Sequence, residues 1–79
     1  MYFIEMSGKT LLRIVSRDGD EPSPEELGEV GVKEESIVRI NRQGDIELRR
    51  TSGWDLIGGL LGDFEGRVRE ETGLDWVEG

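Results

Sequence analysis

"SGWDLIGGLLGDFEGRVREETG", Ser52 to Gly73, is the stretch on which the fold turns. Read as a helix, it starts at an Ser52 N-cap with Asp55 three residues on, and it ends at Gly73 as a left-handed C′ residue. Stepping about 100° per residue places Trp54, Ile57, Leu60, Leu61, Phe64 and Val68 on one stripe, the pattern of a core-facing helix. Glycine argues the other way, because each interior Gly costs about 1 kcal/mol against Ala in a helix. Gly58, Gly62 and Gly66 recur every four residues opposite the apolar stripe, with Gly59 beside them. Small residues so spaced let a second backbone approach closely, and the approaching backbone could belong to a second copy of the chain. The alternative is that "LIGGLLG" is a loop or kink and that the helix begins near Asp63. The apolar stripe favours one long helix over 52–73. "GGLLG" is not a phosphate loop, for it lacks the G-x-G-x-x-G order and a nearby Lys.

Upstream, "SIVRIN" (Ser36–Asn41) and "DIELRR" (Asp45–Arg50) flank Arg42-Gln43-Gly44 and read as a β-hairpin. Val38 and Ile40 share one face with Ile46 and Leu48, while Arg39, Glu47 and Arg49 alternate outward. By the same reasoning "YFIEM" (Tyr2–Met6) and "TLLRIVSR" (Thr10–Arg17) form a first hairpin around Ser7-Gly8-Lys9, although the two-residue period is imperfect at Leu11 and Ile37. Between the hairpins, "SPEELGEVGV" carries Ser23 as N-cap, Pro24 at the first helical position and Glu26 to complete a capping box. Gly28 and Gly31 limit that helix to one or two turns. The expected fold is α+β in the order ββαββα: a four-stranded antiparallel sheet with a short and a long helix packed on one face.

The 79 residues carry a net charge of -8 and contain neither Cys nor His. Disulfides, Cys/His zinc sites and histidine-based catalysis are thereby excluded. A chain this short makes one small domain, 1–79, and buries only about 60% of its unfolded surface. No run is apolar enough to span a membrane and the amino terminus lacks a signal-peptide pattern, so a cytoplasmic protein is expected. Charge is unevenly spread. Residues 18–35 sum to -7, with eight acidic side chains against Lys33, and 36–51 sum to +2, with four Arg against Asp45 and Glu47.

Three binding chemistries fit parts of this sequence. Asp18, Asp20, Glu26 and Glu29 stand at positions one, three, nine and twelve of an EF-hand-like Ca²⁺ window. Pro22 and Ser23 occupy the positions that need an oxygen ligand and a glycine, and the capped helix starts inside the supposed loop. The EF-hand geometry therefore fails, which leaves an irregular acidic loop of Asp18, Asp20, Glu21, Glu25, Glu26 and Glu29 as the candidate for Ca²⁺. Arg39, Arg42, Arg49 and Arg50 cluster on the second hairpin and could meet RNA. The negative net charge argues against DNA and RNA alike, and only Tyr2 and Phe3 supply aromatics among the expected strands. Opposed acidic and basic surfaces are a common basis for association between proteins. The reading is a non-catalytic, acidic protein-interaction module that self-associates as a homodimer or binds a protein partner. Its interface candidates are Gly58, Gly62, Gly66, Trp76, Arg39 and Arg49.

Overall fold

The computed structural model describes residues 3–18 and 22–76. Its elements are β1 (Phe3–Ser7), α1 (Gly8–Asp18), α2 (Pro24–Glu29), β2 (Ile37–Asn41), β3 (Asp45–Arg50), β4 (Gly53–Gly59) and α3 (Phe64–Thr72). The fold is α+β, with a four-stranded antiparallel sheet in the order β1-β2-β3-β4. Four strands and their antiparallel pairing match expectation, but the elements run βααβββα.

The hairpin of β2 and β3 forms as read, with Val38 opposite Leu48, Arg39 opposite Glu47 and Ile40 opposite Ile46. Its turn is fixed by Asn41, whose Oδ1 accepts from the amides of Gln43 (3.0 Å) and Asp45 (2.9 Å). Gly44 follows at φ +94°, where a Cβ would stand 2.7 Å from the Leu60 carbonyl oxygen. Only glycine meets both demands.

The first expected hairpin does not form. Thr10–Arg17 is helix rather than strand, and β1 pairs with β2 instead, Ile4 opposite Ile40 and Met6 opposite Val38. Leu11, Ile14 and Val15 are buried, the three- and four-residue spacing of a helix face. Ser7, read as a turn residue, ends β1 and precedes the helix: its Oγ accepts from the Thr10 amide at 3.2 Å. Gly8 allows the chain to turn from strand to helix hard against the 32–36 loop. Its amide donates to the Ser36 carbonyl at 2.7 Å, and a Cβ there would overlap the Lys33 carbonyl.

The long helix over 52–73 is likewise corrected. Thr51 and Ser52 make the turn of a second hairpin, and residues 53–59 form β4 along β3. Tertiary pairing with β3 overrides a helical stripe that four glycines had already weakened. The alternative start near Asp63 is the one observed, since Asp63 is the N-cap of α3 and Gly73 ends it at φ +73°. Leu61, assigned to the core stripe, is 72% exposed, whereas Leu60, Phe64 and Val68 are buried.

Helices cover one face of the sheet. Ile4, Met6, Val38, Ile40, Ile46 and Leu48 from the strands meet Leu11, Ile14 and Val15 of α1, Leu27 of α2, and Phe64 and Val68 of α3 in a single cluster. α2 carries the full capping box: the Glu26 amide donates to Ser23 Oγ and the Ser23 amide to Glu26 Oε1, both at 3.2 Å. α1 touches both other helices. Its last turn is tied to α3 by Arg17, which donates to Glu70 at 2.9 Å and Glu71 at 3.0 Å. These bonds, to Glu70 first, raise the Arg17 pKa above its ordinary value. No helix among the described residues is long and apolar enough to cross a membrane.

Candidate functional site: the open face of the sheet

Alternation along the strands sends every second side chain away from the helices. Cross-strand partners share a face, so Glu5, Arg39, Glu47 and Leu56 form one row across all four strands on the uncovered side. Phe3 of β1 and Trp54 of β4 lie on the same side, Trp54 opposite Arg49. A bulge in β4 separates the pairs Ile46–Gly58 and Glu47–Leu56. It inserts Ile57, which packs against the core while Trp54 and Leu56 stay on the open face.

Arg39 is the centre of this surface. Its guanidinium carbon lies 3.8 Å from the centroid of the Phe3 ring and 4.1 Å from that of Trp54. Its Nε donates to Glu47 Oε1 at 2.6 Å. Arg49 approaches the Trp54 ring less closely, at 5.6 Å. Each cation–π contact at a partly exposed site is worth about 0.5–1 kcal/mol. The planar guanidinium thus joins the two edge strands across the face through one residue of β2, with Glu47 of β3 fixing its orientation.

Around this clamp Ile37 and Leu56 expose apolar side chains among the charged ones, at 50% and 62%. The charged residues of the face are Glu5, Asp45, Glu47, Arg39 and Arg49, a net of -1 in a chain of net -8. Asp45 is bound by the Asn41 amide nitrogen at 3.0 Å. On the open face the acidic excess of the chain is nearly absent.

No match to known proteins was found: no family model, no curated protein and no solved structure. The assignment of a site therefore rests on geometry.

Of the interface residues expected from sequence, Arg39 and Arg49 meet on this face. The three glycines do not form a strip. Gly58 lies in β4, Gly62 in the connection after it at φ +69° and Gly66 in α3. Gly58 instead borders a shallow depression with Pro22, Glu26 and Ile57. Trp76 is buried: its Nε1 donates to the Ile40 carbonyl at 2.9 Å, and its ring meets Phe64 edge-on at 5.9 Å. It closes the core. Arg50, from the same arginine cluster, is engaged with Asp55 at 2.7 Å and the Val30 carbonyl at 2.8 Å.

Among the acidic candidates, Asp20, Glu21 and the side chain of Asp18 lie outside the described residues. Glu25, Glu26 and Glu29 belong to α2, and the Glu26 carboxylate is held by the capping box. Among the described residues no three carboxylates converge on a point that could hold a metal ion. Phe3 and Trp54 are contributors that the sequence reading named, Phe3 as a strand aromatic and Trp54 on the apolar stripe, without placing them beside Arg39. Tryptophan opposite arginine on adjacent strands was a usable signal, but only once 53–59 was known to be a strand.

Proposed function

We propose that this chain is a non-catalytic protein-interaction module that associates with a second copy of itself through the open face of its sheet. The observation that carries the reading is the Phe3–Arg39–Trp54 clamp between exposed Ile37 and Leu56. Tryptophan and arginine are over-represented among residues that dominate binding energy, and side chains already ordered lose little freedom on association. Charge permits the same face. Two copies of net -8 repel one another, and a face of local charge -1 adds little to that repulsion.

RNA is the competing partner, since arginines and aromatics on a sheet also make a nucleotide platform. Here one face of each ring is already taken by Arg39, and Glu5, Asp45 and Glu47 would oppose phosphate. A protein surface is the better fit.

Sedimentation equilibrium from micromolar to submillimolar protein tests the reading. Mass rising with concentration from 8.9 kDa towards twice that value is expected, and Trp54→Ala should return the sample to monomer. Only 8.9 kDa material throughout would overturn it. So would salt-sensitive binding of a single-stranded oligouridylate that is lost in Arg49→Ala.

A further inference from the structure

Resting on that self-association, we infer that the two sheets stack with their two-fold axis parallel to the strands, β1 of one copy over β4 of the other. The central row decides it. From edge to edge the row reads Glu5, Arg39, Glu47, Leu56. A two-fold in the sheet plane and parallel to the strands reverses the row. Arg39 then stands over the partner's Glu47, Glu47 over the partner's Arg39, and Leu56 over the partner's Glu5. A two-fold in the same plane but across the strands leaves the row in order. Glu5, Arg39 and Glu47 would each then face their own copies, three like-charge meetings that specific interfaces avoid. Isologous pairing makes the Arg39–Glu47 contact occur twice, whereas a residue facing its own copy meets it once.

The parallel axis also joins the internal Arg39–Glu47 pair, 2.6 Å apart, to its symmetry mate. Two cations and two anions then alternate around the axis, each with one partner in its own chain and one across the interface. Aligned sheets with their strands within about 30° of one another form a common face-to-face packing. Four strands about 4.8 Å apart and about five residues long give a face of roughly 320 Å² in plan. Two such faces amount to about 640 Å² in plan, which makes this a small interface by the standard of specific complexes.

Site-directed cross-linking reads the axis directly, because the chain contains no cysteine. Glu5 and Leu56 are both exposed. Stacked faces are about 10 Å apart, beyond a direct disulfide but within reach of a short bis-maleimide. With the parallel axis, residue 5 lies across from the partner's residue 56, and like positions are separated by about three further strand spacings, roughly 14 Å. Mixing Glu5→Cys protein with Leu56→Cys protein should therefore give a cross-linked heterodimer, while each variant alone gives little. The product should disappear when both variants also carry Trp54→Ala. Efficient cross-linking of Glu5→Cys to itself, with no mixed product, would overturn the axis and leave self-association standing. No cross-link in any mixture, together with monomeric sedimentation of the unmodified chain, would remove the self-association itself.

Discussion

The covered and open faces of the sheet are made by the same four strands, yet they are held by different physics. On the covered face Val38, Ile40 and Ile46 are wholly buried among side chains from three helices. Their stabilisation is non-directional and scales with the area taken from water. On the open face the order comes from a few directed contacts, the stacking of Arg39 between two rings and its bond to Glu47. Those contacts are individually small, and their effect is to hold a surface in one arrangement. A strand can thus give one alternate set of positions to the core and leave the other on the open face, and mutations should divide the same way.

The largest effect is expected on the covered face. Ile40 is fully buried, pairs with Ile4 and Ile46, and lends its carbonyl to Trp76. Ile40→Ala should destabilise by about 2–5 kcal/mol, by lost transfer energy and a residual cavity. Urea unfolding of the variant beside the parent measures it. A loss below about 1 kcal/mol would mean that the two faces are not as unlike as their burial indicates.

A loss of intermediate size belongs to the turn between β2 and β3, which both faces share. Gly44→Ala forces an L-residue to φ +94° and sets a Cβ against the Leu60 carbonyl and the Phe64 ring. Strain of this kind costs about 1–3 kcal/mol. Because the Gly44 carbonyl also accepts from the Leu60 amide at 2.8 Å, the damage should reach both the end of β4 and the start of α3. Hydrogen exchange at Leu60 should accelerate along with the fall in stability.

How much of this was legible in the sequence differs between the faces. The β2–β3 hairpin could be read because Val38, Ile40, Ile46 and Leu48 alternate strictly and a glycine marks the turn. The capping box at Ser23 and the αL ending at Gly73 were equally local. Helix α1 was obscured because Ile14 and Val15 favour strands by propensity, while the spacing of Leu11, Ile14 and Val15 favours a helix. Strand β4 was obscured in the opposite sense. Trp54, Ile57, Leu60 and Leu61 fall by coincidence at helical intervals, and only pairing with β3 makes Trp54 and Leu56 share a face. The open site inherits that difficulty. Arg39 and Arg49 were visible as outward residues of a hairpin, whereas the rings that clamp Arg39 come from strands about fifty residues apart in the chain, brought together by long-range pairing that no local pattern encodes.

Trp54→Ala sharpens the comparison from the open side. It removes the ring that covers Arg39 and approaches Arg49, at a stability cost of about 1–2 kcal/mol for two cation–π contacts. Self-association should fall far more than stability does. If the monomer were destabilised as severely as by Ile40→Ala, Trp54 would belong to the core in energetic terms, and the open face would lose its separate character.

The smallest expected change in folding is at Ile37, and for that reason it discriminates best. Ile37 alternates with buried Val38 on β2 yet is 50% exposed. In the monomer Ile37→Thr gives up little contact and keeps a β-branched residue in a strand, so stability should stay within about 0.5 kcal/mol of the parent. In a dimer that covers the open face, the same side chain leaves water, and each copy loses apolar burial worth roughly 25 cal/mol per Å². The loss is counted twice across a two-fold axis. Urea midpoints measured on dilute protein should coincide for Ile37→Thr and the parent, and sedimentation at high concentration should separate them. Coincidence in both measurements would show that Ile37 faces water in every state of the protein, and the interface would have to shrink to the Arg39 clamp and its immediate neighbours.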